Sequence, residues 1–170
     1  MSMSTITAVS EEEYLATVYE PDCEFEDGVL IERNLGEQDH SWLQAALAAY
    51  FFRRRKVWGI EVFTEQRHCI RKAKYMLPDV CVIKQPRPHE KIFSQPPLIW
   101  IEILSPEDRP LKVNHKVRQL LEFGAPNIWV IDPETFDAEI HTPAGSRKVD
   151  DGILRVAGSP IEVPLEGLEE

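Results

Sequence analysis

The chain has 170 residues, of which 43% are hydrophobic and 28% charged, and its formal net charge is −10. This length and composition suit one globular domain with a buried core, so residues 1–170 are predicted to form a single domain. No apolar run reaches the roughly 18 residues that a membrane-spanning helix needs, so no membrane association is expected. The acidic balance argues against a broad, non-specific grip on nucleic acid, which usually leaves a basic surface.

The N-terminal half is predicted to hold a hairpin between two helices, followed by two strands. Ser10 is a suitable N-cap for the first helix, and Asp27-Gly28 is a strong signal for the turn of the hairpin. Apolar residues at three-to-four spacing predict the second helix. The predicted elements are a helix over residues 10–19, a hairpin over 24–33, a helix over 38–54, and strands over 57–63 and 66–70.

The C-terminal half is predicted to alternate short apolar strands with one amphipathic helix, which Gly124 ends as a C′ residue. A helix and strands in this order predict an α/β or α+β domain, in which helices flank a mixed sheet. The predicted elements are strands over residues 80–83, 98–104, 128–131 and 136–141, a long loop over 84–97, a helix over 111–123, and one or two short strands within 153–168.

The three cysteines are widely spaced, and no two of them have Cys-x-x-Cys spacing, so a structural zinc site is not expected. The N-terminal residues lack the basic start and the long apolar core of a secretory signal peptide. Both observations favour a cytoplasmic protein with reduced thiols.

One carboxylate interrupts an otherwise apolar strand. Residues 98–104 read Leu-Ile-Trp-Ile-Glu-Ile-Leu, and Glu102 is the one charged residue among them. A continuous apolar run is typical of a strand that is buried on both faces, where an isolated charge is very costly. Glu102 must therefore be paired, protonated or bound to a cation, and a structural pair with an arginine is the simplest alternative to a functional role.

A second carboxylate, Asp79, directly precedes the apolar strand at residues 80–83. If the ends of the two strands meet, Asp79 and Glu102 offer oxygen ligands to Mg²⁺, with water and a phosphate oxygen completing the octahedron. A metal in such a site lowers the pKa of a bound water and stabilises charge on a transferring phosphoryl group. The acid pair therefore predicts a metal-dependent hydrolase site, although Asp79 also suits the simpler role of a strand-start or capping residue.

Several motifs together resemble the Uma2 family (DUF820), an endonuclease group within the PD-(D/E)XK nuclease superfamily. The resemblance covers roughly residues 10–142. It implies a restriction endonuclease-like core with flanking helices, Mg²⁺ or Mn²⁺ as the cofactor, and DNA as the substrate. The matching segments are Pro78-Asp79-Val80, Ile101 to Pro106, Lys116 through Gly124 to Trp129 and Asp132, and, in the N-terminal pattern, Glu26 to Leu30 with His40.

The resemblance also implies roles for individual residues. Asp79 and Glu102 would be metal ligands, together with the backbone carbonyl of Ile103. Lys116 would be the catalytic lysine on the helix that follows, and Glu32 would be an additional acid that orients a metal-bound water.

Three other residues are candidates for substrate binding. The resemblance implies that His40 contacts the substrate from the helix after the hairpin. Lys112 and His115 make the helix that carries Lys116 basic, which suits a phosphate backbone.

The sequence departs from the family at two positions. Leu104 stands where the superfamily usually has its lysine, two residues after the glutamate, and Lys112 stands where the family often has an aspartate. These departures leave two alternatives to a DNA endonuclease: an inactive relative that binds nucleic acid or protein, and a hydrolase of another phosphate-containing substrate. Many superfamily members pair, so a homodimer is expected, with the region of Trp42 and Phe51-Phe52 or the C-terminal strands as its contact.

Overall fold

A computed structural model describes residues 8–34 and 36–168 of the chain. Its helices are α1 (Glu11–Ala16), α2 (Gln38–Trp58) and α3 (Pro110–Phe123), with a short 3-10 helix at Leu165–Gly167. Its strands are β1 (Cys23–Glu26), β2 (Val29–Glu32), β3 (Ile60–Thr64), β4 (His68–Arg71), β5 (Lys74–Met76), β6 (Val80–Lys84), β7 (Ile99–Ile103), β8 (Ile128–Ile131), β9 (Ala138–Thr142), β10 (Gly145–Lys148), β11 (Ile153–Arg155) and β12 (Glu162–Pro164).

A six-stranded mixed sheet forms the centre of the fold, in the order β10-β9-β8-β7-β6-β3. Strands β7 and β8 are parallel, with Glu102 opposite Val130, and the other neighbouring pairs are antiparallel. A parallel pair needs a crossover connection, and α3 supplies it between β7 and β8. The predicted mixed sheet with flanking helices is thereby confirmed.

Two smaller sheets complete the described part of the chain. Strands β2-β1-β5-β4 form an antiparallel sheet, and β11 pairs with β12. The turn between β1 and β2 places Asp27 and Gly28 at positive φ, as a tight hairpin turn requires. Helix α1 closes this sheet with a small aromatic core, in which the ring of Tyr14 lies 4.9 Å from that of Phe25 and 5.4 Å from that of Tyr75.

Strand β7 explains why both faces of the six-stranded sheet carry a core. Its side chains alternate, so Ile99, Ile101 and Ile103 belong to the core on one face while Trp100 belongs to the core on the other. Helix α2 covers the first face and helix α3 covers the second. Glu102 is two residues from Trp100 in the same strand, so its side chain also lies on the face that α3 covers.

The structure differs from the sequence prediction at several places. Helix α1 ends at Ala16 and not at residue 19, and β10 was not predicted as a strand. Residues 57–58 were assigned to a strand but belong to α2, which ends where Gly59 adopts the left-handed conformation and its amide donates to the carbonyl of Arg55. Strand β5 was not predicted, because three residues are too few to show an alternating pattern. No helix within residues 8–34 and 36–168 is long and apolar enough to cross a bilayer.

Candidate active site

Asp79 and Glu102 lie at the same end of the adjacent strands β6 and β7. The amide of Asp79 donates to the carbonyl of Ile101 at 3.1 Å, and the amide of Ile103 donates to Asp79 Oδ2 at 2.7 Å. The side chain of Asp79 therefore reaches across the strand end to the backbone beside Glu102. The antiparallel pairing of β6 and β7 brings the two acids together, although 22 residues separate them in the chain.

Two basic side chains contact the other oxygen of Asp79. Arg33 Nη2 lies 2.5 Å from Oδ1 and His40 Nε2 lies 3.4 Å from it. Asp79 is 2% exposed. Burial alone would raise the pKa of this carboxyl, but His40, Arg33 and the amide of Ile103 together hold the pKa below its usual value. The same contact with Asp79 raises the pKa of His40.

Glu102 contacts its donors through a single oxygen. Trp100 Nε1 donates to Glu102 Oε1 at 2.6 Å, and Lys116 Nζ lies 2.9 Å from the same atom. No described residue donates to Oε2. Burial raises the pKa of Glu102 to about 7, and Asp79 acts in the same direction against the opposing effect of Lys116. Glu102 is thus a half-buried acid whose charge is only partly compensated.

Lys116 bridges Glu102 to a third acid. Its Nζ donates to Glu24 Oε1 at 3.0 Å, and the same oxygen accepts the amide of Leu77 at 3.0 Å. Burial would lower the pKa of the ammonium, but Glu102 and Glu24 outweigh it and the net pKa is raised. We name the set formed by Glu24, Arg33, His40, Asp79, Glu102 and Lys116 the charged cluster.

The secondary structure explains how Lys116 reaches Glu102. Helix α3 buries Val117 and Leu120 against the sheet, and Val113 packs at the same core. Lys116 lies within this stripe, since residues three and four apart share one face of a helix. The apolar packing of α3 therefore directs the ammonium toward Glu102, while Leu104 packs at the core.

Helix α2 delivers two polar side chains to Asp79 in a similar way. His40 and Gln44 are four residues apart and lie on one helix face. Gln44 Nε2 donates to the backbone carbonyl of Asp79 at 3.0 Å. Leu43 and Leu47 on the same helix are fully buried in the core, which fixes the rotation of α2 against the sheet.

The other sequence-predicted site residues lie further out. Glu32 is exposed at the end of β2, where it pairs with Cys23, and the structure does not bring it into the charged cluster. Lys112 is exposed and lines a cavity of about 90 Å³ together with Glu102 and Lys116. His115 is exposed on α3 and does not line this cavity.

Sequence reasoning missed Glu24, Arg33 and Gln44. Strand β1 alternates buried Cys23 and Phe25 with two half-buried glutamates, so Glu24 faces away from the aromatic core and toward α3. That alternation was available in the sequence as a signal for Glu24. Arg33 and Gln44 gave no such signal, because an arginine after a hairpin and a glutamine on an amphipathic helix are usually solvated.

The charged cluster leaves one carboxylate oxygen open to a hard divalent cation. Glu102 Oε2 lacks a donor among the described residues, and carboxylate and carbonyl oxygens are the ligands that Mg²⁺ prefers. In residues 8–34 and 36–168 no group of three or more His, Cys, Asp or Glu side chains is arranged to hold a metal. Within the charged cluster, the carboxylates of Asp79 and Glu102 could contribute ligands, and water or substrate oxygens would have to complete the shell, as is common for Mg²⁺.

Comparisons with known proteins agree with the fold. A solved structure, described as a putative nuclease belonging to DUF820 from Anabaena variabilis ATCC 29413, is 24% identical in sequence with a TM-score of 0.78, and the match covers 92% of this chain and 95% of that chain. This likeness shows a nuclease-like fold. No curated protein matches the chain.

A family model identifies the group to which the sequence is related. The model of Uma2, whose description is "putative restriction endonuclease", matches residues 11–164. The match includes all six residues of the charged cluster. Because it extends over most of the 170 residues, the chain belongs to the Uma2 family of the PD-(D/E)XK nuclease superfamily.

Proposed function

We propose that this protein is a divalent-metal-dependent DNA endonuclease whose active site is the charged cluster. The observation that carries the proposal is the position of Lys116 Nζ, which lies 2.9 Å from Glu102 Oε1 at the strand end that Asp79 also occupies. Two acids and a lysine in this arrangement suit hydrolysis of a phosphodiester bond. Membership in a family described as restriction endonucleases supports the same reaction.

Asp79, Glu102 and the carbonyl of Ile103 would hold the cation, Mg²⁺ or Mn²⁺. When bound, the cation would supply an activated water and neutralise charge on the phosphate. Trp100 orients the Glu102 carboxylate by donating to Oε1, which leaves Oε2 for another ligand. Glu24 and not Glu32 belongs to the charged cluster, so we propose Glu24 for the role of the additional acid.

The basic side chains would act on the substrate. Lys116 is positioned to neutralise negative charge that develops on the phosphate beside Glu102. Lys112 at the cavity mouth and His115 on the outer side of α3 suit neighbouring phosphates of the backbone. His40 has one nitrogen on Asp79, and its Nδ1 is buried without a partner among the described residues. Contact of His40 with the substrate is proposed from the family resemblance.

The direct test is cleavage of plasmid DNA by the purified full chain with Mg²⁺ or Mn²⁺. We expect cleavage that chelation by EDTA stops and that Glu102→Gln abolishes. Glu12→Gln is the matched control, because Glu12 is an exposed residue of α1 outside the charged cluster. Cleavage that persists in Glu102→Gln at the wild-type rate would contradict the site assignment.

One observation favours the alternative of an inactive relative that only binds a partner or nucleic acid. Both side-chain oxygens of Asp79 already face protein donors, namely Arg33, His40 and the amide of Ile103. Calorimetric titration with Mn²⁺ separates the two functions, since an endonuclease must bind the ion while an inactive relative need not. Nucleotides tested beside DNA would identify a hydrolase of another phosphate compound.

We also expect the protein to act in the cytoplasm and as a homodimer. The dimer is expected because cleavage of both DNA strands often uses two active sites. Trp42 and Phe52 are 43% and 52% exposed, which leaves apolar surface on α2 for such a contact. Light scattering at micromolar concentration should give twice the mass of the 19.6 kDa chain. A monomer mass would exclude the dimer.

A further inference from the structure

Arg33 occupies the Asp79 oxygen that a metal would need. Its Nη2 lies 2.5 Å from Asp79 Oδ1, while Oδ2 accepts the amide of Ile103 at 2.7 Å. A guanidinium and a divalent cation that both contacted Oδ1 would lie close together, and their positive charges would repel one another. The two groups therefore compete for this oxygen. Arg33 therefore opposes metal binding in the arrangement that the structure shows.

The guanidinium is incompletely satisfied in this position. Its Nη1 is buried and meets no acceptor in the described part of the chain. A buried donor of a charged group that lacks an acceptor costs free energy, so the contact with Asp79 is not the optimum for the whole guanidinium. This cost favours a second position in which Nη1 also finds a partner.

Glu65 provides that second position. Its Oε1 lies 3.9 Å from Arg33 Nη1, and its side chain is 48% exposed and hence has room to adjust. Arg33 directly follows β2, and its backbone amide donates to the carbonyl of Asp22 at 3.1 Å, so the transfer would involve the side chain alone. A small rotation would carry the guanidinium from Asp79 to Glu65 while it keeps an acidic partner.

We propose that Arg33 sets the metal affinity of this site: its guanidinium holds Asp79 in the metal-free protein and transfers to Glu65 when a divalent cation binds. Arg33 is in this sense a positioning residue, which acts through Asp79 rather than on the substrate. The inference rests on the proposed function, because it takes Asp79 as a metal ligand.

The test is calorimetric titration of Mn²⁺ into the full chain. Arg33→Gln should bind Mn²⁺ about tenfold more tightly than wild type or better, since a competing charge has been removed from a ligand oxygen. Glu65→Gln should bind more weakly than wild type, because the guanidinium loses its second partner. The double variant should bind as Arg33→Gln does, since Glu65 matters only while Arg33 is present.

Arg155→Gln is the matched control, because Arg155 pairs with Asp151 and Glu162 outside the charged cluster and its loss should leave the affinity unchanged. Unchanged or weaker binding by folded Arg33→Gln overturns the inference and leaves the proposed metal site intact. If Arg33→Gln fails to fold, Glu65→Gln decides, and an unchanged affinity there overturns the inference. Absence of Mn²⁺ binding in wild type and Arg33→Gln alike overturns the metal site itself, and the inference with it.

Discussion

Lys116 Nζ lies 2.9 Å from Glu102 Oε1, although the lysine comes from helix α3 and the glutamate from strand β7. In the usual superfamily arrangement the lysine would stand on the same strand two residues later, where this chain has Leu104. Because α3 crosses the sheet face on which Glu102 lies, it brings an ammonium to this carboxylate from the helix that covers the strand. The position of the charge therefore depends on how α3 packs.

Replacement of Lys116 by methionine tests the role of that charge. Methionine keeps most of the apolar stem but removes the ammonium, so negative charge on the phosphate would lose its neutralising partner. We expect the cleavage rate to fall by about 10²–10³-fold, the range for one lost stabilising donor. Lys72→Met removes an exposed lysine in the turn between β4 and β5 and should leave the rate unchanged. Equal rates in the two variants would exclude a catalytic role for Lys116.

Glu102→Gln should alter the dependence of stability on pH in the metal-free protein. Burial raises the pKa of Glu102 to about 7 in the folded protein, against 4.5 for an ordinary glutamate, so the folded state binds more protons between these values. Its contribution to the free energy of unfolding must then fall as pH rises through this window, by up to about 3 kcal/mol. Glutamine cannot titrate, so the Glu102→Gln variant should not show this decrease in the free energy of unfolding.

Chemical denaturation at pH 4.5 and pH 8 with EDTA present measures the effect. The stability of Glu102→Gln relative to wild type should increase from the lower to the higher pH. Glu12→Gln again serves as the control, since Glu12 lies outside the cluster. A difference between Glu102→Gln and wild type that stays constant with pH would mean that Glu102 titrates near its ordinary value.

Trp100→Phe tests whether the indole orients Glu102. Trp100 Nε1 donates to Glu102 Oε1, a contact that lowers the pKa of this carboxyl against the effect of burial. Phenylalanine keeps an aromatic ring in the core but removes the donor, so the acidic limb of the pH profile for cleavage should move to higher pH. A merely structural role would lower stability and leave the position of that limb unchanged.

The sequence was sufficient to predict the strands that carry the two acids. Both β6 and β7 are apolar runs, with Asp79 directly before β6 and Glu102 inside β7, and burial of both sheet faces follows from that pattern. Their neighbouring position in the sheet was only an expectation, because the pairing of β6 with β7 across a long loop depends on tertiary packing. The predicted end of α2 at residue 54 was wrong, because the helix continues past the end of the apolar pattern and stops at Gly59.

The basic half of the charged cluster was harder to predict. Lys116 was found through the resemblance to Uma2, whereas Arg33 was missed because its partner Asp79 is 46 residues away in the chain. Periodicity indicates which face of an element is apolar, but it carries no information about which distant charges meet. The sequence analysis expected Glu32 to be the additional acid. In the structure Glu24, on the neighbouring strand of the hairpin, contacts Lys116, and for that reason we propose Glu24 for this role.

His68 gives the last prediction, which concerns stability in acid. The side chain is fully buried, with its ring 4.9 Å from that of Trp100 and 5.3 Å from that of Phe93. Burial lowers the pKa of His68 to about 4, against 6.5 for an ordinary histidine. Between these values the unfolded chain binds a proton that the folded chain does not, so stability is lost as pH falls through this window and is complete above it.

Protonation of His68 should lower the free energy of unfolding by about 3 kcal/mol between pH 7 and pH 4. Denaturation curves for His68→Phe should therefore show a smaller decrease over this range than wild type, because phenylalanine has no proton to take up. His89→Gln removes an exposed histidine from the loop between β6 and β7 and should follow the wild-type curve. If His68→Phe loses as much stability as wild type on acidification, other groups govern the acid response and His68 is not buried as a neutral ring.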